Sequence, residues 1–497
     1  MNRKKRHYIR IVLYLLLSVL ILSGCATINL SDNEESSAEP VDTGNRVYKL
    51  DEKHIKIDPS TGYGYVDNVI VLVVKPEVEN REILSWFPNE KAVIVGEIPG
   101  IHQVQVQINP RSKEELETLA KQMMEKEEVR FAHVDLAVSS EYMSMNQTAS
   151  RNKGNEWIAT IASESVPEEF PPDGWWQEAI GLEKSKELHS IEDYIKVGVV
   201  DDGFDTEHAD LHLRFINESH KKLNHPEEHG THVAGIVQQI MPKAQITVID
   251  SHISPEDDPL SHYGTQTQFL SDLIEMVEDD VKVINYSMGA SNESEDKIKW
   301  SEEYCGVNSV YIWLLKEKSR DFIIVQSAGN VGIDVYKNGV FSTLKDDNCL
   351  LSPEVIQSLG IATEDAKKAK QSVFDSIILV GACERKDKNG QYQILPFTNY
   401  GTHISIMAPG EEIESMAPGG GMMRMTGTSQ AAPMVTGAVG ILWSMDKNLT
   451  SGEIKDLLIN SATLKVQDSL YKEHEGEREF YPLLNIYEVI SQRKNRE

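Results

Sequence analysis

Between Trp175 and about Ser491, short runs dominated by apolar residues recur: "IKVGVV", "AQITVID", "VKVINYSMG", "FIIVQSAG" and "SIILVGAC". Helical patterns such as "FLSDLIEMVEDD" lie between them. A strand that is apolar on both sides has to be covered on both sides, and alternation with helices predicts a parallel sheet with helices on each face. In such an α/β sheet, chemistry gathers at the carboxyl ends of the strands.

The region in front reads differently. From Tyr63, "VDNVIVLVVKP" is a β-rich run, "REILSWF" a short helix, and "KAVIVGEIPGIHQVQVQI" two strands across a Pro-Gly turn. "SKEELETLAKQMMEKEEV" is an amphipathic helix opened by a Ser cap, and "RFAHVDLAV" is a last strand. The order β-α-β-β-α-β predicts a small α+β ferredoxin-like domain over 63–140. Residues 141–174 are polar and without clear periodicity, an exposed linker open to proteolysis.

The chain opens with "MNRKKRHYIRIVLYLLLSVLILSGC", a basic head, an apolar core and small residues before Cys25, which is the plan of an export signal over residues 1–24. "LSGC" resembles the lipobox of bacterial lipoproteins, which implies that Cys25 carries lipid and that the protein is a membrane-anchored, extracytoplasmic one. Residues 25–62 then form a polar tether. The formal charge of −29 falls to −34 once residues 1–24 are removed, which disfavours nucleic acid as a partner and leaves the lipid rather than basic residues as the anchor. Cys305, Cys349 and Cys383 are too few for a disulfide framework, and sequence does not supply the geometry that a Cys305–Cys349 bridge requires.

Three strings fall at ends of expected elements. "VGVVDDGFD" ends a strand with Asp201, "HGTHVAG" opens a small-residue helix with His229, and "MTGTSQAAPMVTGAVGIL" starts another at Ser429. Asp, then His, then Ser is the chain order of a subtilisin-type triad. The region 175–492 thus resembles the subtilase family of serine peptidases, which implies a subtilisin-like parallel sheet and a serine endopeptidase. By that resemblance Ser429 is the nucleophile, His229 the base that activates it, and Asp201 the carboxylate that orients the imidazole. "VQSAGNVG" resembles the strand-turn that presents the oxyanion-hole amide, here Asn330, a donor whose loss in a subtilisin costs about 10²–10³ in turnover. "VINYSMGAS" resembles the substrate-binding strand, with Ser287, Met288 and Gly289 pairing an extended peptide. Pro433 is expected to be tolerated as a first-turn residue of the Ser429 helix.

"HGTH" has neither the Glu nor the spacing of four that a zincin helix needs, so His232 is expected to be structural. No cofactor is required by the sequence. Calcium is conceivable, but the usual family loop after the His motif is missing, and Asp210 alone cannot supply six oxygen ligands. The stretch from Val335 to Asp375 is longer than a compact relative would have and is expected near the cleft. Asp202 in "DDG" resembles kexin-type convertases that favour basic residues in their substrates, although a plain turn residue is the preferred reading. The front domain resembles subtilase propeptides, implying a zymogen that cuts its own linker. The competing class is a catalytically inactive, peptide-holding protein on the same fold.

Overall fold

The computed structural model describes residues 44–60, 63–139, 147–151, 157–161, 174–216, 228–251, 263–287, 298–318, 320–335, 351–472, 474 and 478–495. The signal region with Cys25, together with Met288, Gly289 and Cys349, lies outside the described residues. No described helix is long and apolar enough to cross a membrane.

The front region contains β1 (Ile55–Ile57), β2 (Gly64–Val74), β3 (Val93–Ile98), β4 (Gln103–Gln107) and β5 (Val129–Ser139), with helices at Asn80–Ser85 and Lys113–Met124. The strands run antiparallel in the order β5-β2-β4-β3, the ferredoxin-like order expected from the sequence. The β3–β4 turn is closed by His102 at φ 56°. The longer helix starts on a capping box in which Ser112 and Glu115 bond each other's backbone N–H groups. Its spacing buries Leu116, Leu119, Ala120 and Met123 against the sheet. In the expected linker, the described residues form a hairpin of β6 (Gln147–Arg151) and β7 (Trp157–Ile161), pairing that polar sequence without periodicity did not suggest.

The later region is built on seven parallel strands: β8 (Val197–Asp201), β9 (Leu213–Phe215), β10 (Ile246–Asp250), β12 (Val283–Tyr286), β13 (Ile323–Ser327), β14 (Ile377–Cys383) and β16 (Ile406–Pro409). Their order is β16-β14-β13-β12-β8-β10-β9. Successive side chains point to opposite faces, so Val199, Val283 and Val325 join one core while Val200, Ile284 and Ile324 join another. The first core is shared with the helices Glu228–Ile240 and Thr428–Met445, which carry His229 and Ser429. Beyond the sheet lie the hairpin of β17 (Ile413–Met416) and β18 (Met422–Met425) and a small sheet of β15 (Tyr392–Gln393), β19 (Lys465–Gln467) and β20 (Phe480–Pro482).

The second core continues into the front region, taking in Leu72, Leu116 and Phe131 beside Leu270, Leu273 and Tyr311. β11 (Tyr263–Thr265) belongs to the later region in sequence, yet it pairs antiparallel with the end of β5, Tyr263 opposite Ser139 and Thr265 opposite Ala137. Asp135 is buried under this seam, accepting from the Thr267 amide at 3.0 Å and from Gln105 at 2.9 Å. Burial pushes its carboxyl up to about 6 despite those bonds. His133 meets the Tyr311 hydroxyl at 3.0 Å, Arg130 pairs with Glu317 at 2.7 Å, and Asn45 reaches Ser271 at 3.2 Å. Part of the long stretch expected near the cleft also packs here: the Ser358 hydroxyl donates to the Arg130 carbonyl at 2.5 Å, and the helix Ala366–Asp375 packs on Ile298–Glu317. This described part therefore meets the front domain.

The two chemistry-bearing helices approach closely because glycines line their contact. A Cβ on Gly437 would lie 2.7 Å from Ile240, and one on Gly440 would lie 2.4 Å from Met241. Gly437→Ala is expected to cost about 1–3 kcal/mol, the range for overpacking a dense core. Denaturant unfolding checks this, and an unchanged midpoint would refute close helix contact at this position.

Candidate active site

Asp201 is the last residue of β8, a central strand flanked by β10 and β12. The chain then turns through Gly203 at φ 71°, a conformation that favours glycine. The turn's carbonyls serve the start of the His229 helix: Gly230 N–H donates to the Asp202 carbonyl at 2.8 Å and Thr231 N–H to the Gly203 carbonyl at 3.1 Å. These amides have no partner inside their own helix, so strand end and helix start complete one another. A Cβ on Gly230 would stand 2.5 Å from the Gly203 carbonyl oxygen, which explains the glycine after His229.

This arrangement puts His229 Nδ1 2.5 Å from Asp201 Oδ1, with both side chains buried. Oδ1 also accepts from the Asp202 amide at 2.8 Å. With its Nδ1–H donated to the carboxylate, the imidazole keeps Nε2 as the basic nitrogen. Burial alone would lower the His229 pKa, but the charge and hydrogen bond of Asp201, helped by Asp202, raise it above the ordinary value of 6.5.

Ser429 is the second residue of its helix and is buried. Its hydroxyl donates to the Ser287 carbonyl at 3.1 Å, and no hydrogen bond joins it to His229 among the described residues. The Ser287 hydroxyl in turn donates to the Ser429 carbonyl at 3.0 Å and accepts from Asn285 at 2.9 Å. Pro433 accounts for the first of these bonds. It is the sixth helical residue and not a first-turn one, so the expectation from sequence was misplaced. Lacking an N–H, Pro433 leaves the Ser429 carbonyl without its helical donor, and Ser287 supplies one instead.

Asn330 follows β13 and is buried against the start of the serine helix. Its Oδ1 accepts from the Thr428 amide at 2.9 Å and the Thr428 hydroxyl at 3.0 Å. It thereby caps a helix whose N-cap residue, Gly427, has no side chain to do so, and the cap fixes which way the carboxamide faces. A Cβ on Gly427 would come within 3.0 Å of Asn330 Nδ2, so glycine keeps room around that nitrogen. Thr428 was missed from sequence as the residue that orients Asn330, although it stands in the same "GTS" string.

His232 is buried, and its Nε2 lies 3.0 Å from the Ile413 carbonyl and 3.3 Å from that of Met423. It ties the histidine helix to the β17–β18 hairpin, and burial holds it at about 3, uncharged, as a structural residue. Asp210 is exposed. Among the described residues no group of three or more His, Cys, Asp or Glu side chains could hold a metal ion.

Gly230→Ala is expected to push the histidine helix off the Asp202–Gly203 turn and weaken the Asp201–His229 bond. A one-proton NMR search for the downfield Nδ1 proton checks this, and an unshifted resonance in the variant would contradict it.

Comparison with known proteins bears on this geometry. The profile of the Subtilase family matches residues 192–478. Subtilisin E of Bacillus subtilis (strain 168) is 26% identical over 285 residues, covering 54% of this chain and 60% of that protein. The Bacillus subtilis cell wall-associated protease is 36% identical over 86 residues, 17% of this chain and 9% of its own length. The chain thus spans about 60% of the subtilisin relative it matches. Among solved structures, fervidolysin from Fervidobacterium pennivorans, a keratinolytic enzyme related to subtilisin, is similar with a TM-score of 0.56 at 19% identity, covering 89% of this chain and 64% of that one. The epidermin leader peptide processing serine protease from Staphylococcus aureus is similar with a TM-score of 0.50 at 16% identity, covering 85% and 99%. Both structural likenesses concern the fold, while the family profile spans more than half of the chain and contains Asp201, His229, Asn330 and Ser429: the chain belongs to the subtilase family.

Proposed function

We propose that the protein is an extracytoplasmic serine endopeptidase that hydrolyses peptide bonds through an acyl-enzyme. The observation that carries this reading is the buried Asp201–His229 hydrogen bond set beside a helix that starts on Thr428-Ser429 and is capped by Asn330. In this reading the Ser429 hydroxyl rotates from the Ser287 carbonyl onto His229 Nε2 when substrate binds, since catalytic hydrogen bonds often form only in the substrate complex. His229 takes the hydroxyl proton as the oxygen attacks the scissile carbonyl, and Asp201 stabilises the resulting imidazolium. Asn330 Nδ2 and the Ser429 amide donate to the oxyanion. His229 then returns the proton to the leaving amine, and water repeats the sequence to release the acyl group.

A zymogen is supported by the seam between the front domain and the rest. The end of β5 already pairs with β11 as an added strand, and the chain beyond Ser139 continues from there. The front domain then acts as propeptide and inhibitor, with cleavage inside 141–174. After cleavage, the shared core and the contacts of Asp135, Arg130 and Asn45 favour a retained, noncovalent complex, which keeps a Cys25-anchored front domain attached to the peptidase.

Residues 26–497 and their Ser429→Ala variant, expressed side by side, test both parts. The active form is expected to show a new N-terminus within 141–174 and labelling by a fluorophosphonate on Ser429. Equal processing in the two forms refutes self-cleavage, and an unlabelled mature protein favours the inactive peptide-holding reading.

Two further outcomes follow from the geometry. Asn330→Asp keeps the acceptor that caps the serine helix and loses the donor, so turnover is expected to fall by at least about 10² with the unfolding midpoint little changed. Because the general base must be neutral, activity is lost as pH falls through the His229 pKa. That value is raised, so the acid limb of kcat/KM is expected above pH 6.5 and moves down in Asp201→Asn. An acid limb below that point in the wild type would contradict the Asp201–His229 coupling.

A further inference from the structure

Asn399 stands in the stretch "PFTNYGT" between β15 and β16 and is fully buried. Its side chain is spent on the backbone of the Asn330 loop. Oδ1 accepts from the Val331 amide and from the Ile333 amide, each at 3.2 Å, and Nδ2 donates to the Ala328 carbonyl at 2.8 Å. Its own amide donates to the Gly329 carbonyl at 2.9 Å. One residue therefore holds the backbone on both sides of Asn330 through Ala328, Gly329, Val331 and Ile333.

The neighbouring residues complete the hold. Gly332 N–H donates to the Phe397 carbonyl at 2.8 Å, and Tyr400 N–H donates to the Ile333 carbonyl at 3.0 Å. From the other side, Gly329 N–H donates to the Thr428 hydroxyl at 3.1 Å. The loop includes Gly329 at φ 100° and Gly332 at φ 67°, conformations that do not extend β13 and that need outside partners for their amides.

We infer that Asn399 is a positioning residue for oxyanion stabilisation: it sets the place of the Asn330 amide by clamping the loop that bears it. The inference rests on the peptidase reading above. An oxyanion donor is effective only when held within a few tenths of an ångström before charge develops, so a loop free to relax loses rate without losing substrate affinity.

The test is a double-mutant cycle on the processed enzyme with a peptide substrate. Asn399→Ala is expected to lower kcat by about 10- to 100-fold, part of what loss of the donor itself costs, while KM moves less than about threefold. In an Asn330→Ala background the same change is expected to lower kcat by less than about threefold, because the group it positions is gone. A kcat loss of equal factor in both backgrounds, or an unchanged kcat in the single variant, overturns the inference. Should Asn399→Ala fail to unfold cooperatively, Asn399→Asp decides: it keeps volume and acceptor and gives up the bond to Ala328. A reduced kcat that disappears in the Asn330→Ala background supports the clamp, and a wild-type kcat overturns it. An inactive wild type overturns the peptidase reading and this one with it, whereas an active, Asn330-dependent wild type with an indifferent Asn399 variant overturns this one alone.

Discussion

The first amides of a helix have no acceptor within that helix, and in a buried site they cannot turn to water instead. Two helices begin in the middle of this molecule under that constraint. The histidine helix finds the carbonyls of the turn after Asp201, and the serine helix finds the carboxamide oxygen of Asn330. Each solution draws a chemically useful group to a fixed place as a by-product of satisfying backbone. Asp201 is brought onto His229 because the turn behind it is bonded to the helix ahead of it. Asn330 faces its nitrogen away from Thr428 because its oxygen is already committed. The same logic extends to Ser429, whose carbonyl is left over by Pro433 and taken by Ser287.

Electrostatics follow from this packing. Asp201 and His229 are buried together, so the imidazole gains from the carboxylate more than burial removes, and its basicity rises. Three residues later on the same helix, His232 has carbonyl partners and no carboxylate, and burial leaves it neutral. The two histidines in one string thus shift in opposite directions because one faces the strand end and the other faces the β17–β18 hairpin.

Much of the site was legible before the fold, for identifiable reasons. Each motif contains a glycine that the geometry demands: Gly203 for a positive φ, Gly230 for a 2.5 Å approach to a carbonyl, and Gly427 for room beside Asn330. Such requirements leave a local imprint in the string. Asn399 leaves none, since an Asn in a loop looks the same whether it faces solvent or holds a distant turn, and its partners lie more than sixty residues away. Thr428 stood within a recognised string, yet its role depends on a residue 98 positions off.

The alternation of buried strands and helices, the ferredoxin-like order in front and the Asp-His-Ser sequence were determined by local patterning, because periodicity and turn chemistry act over a few residues. What the tertiary structure alone decided is which separate segments complete one another. β11 joins the sheet of the front domain, the helix Pro353–Ser358 rests on β5, and one apolar core runs through both regions, so that two domains apart in sequence share a seam. Open backbone groups on a strand edge and apolar faces on helices specify only that they must be covered. The choice of cover depends on chain segments brought together by the fold, and that proximity is not written in either segment.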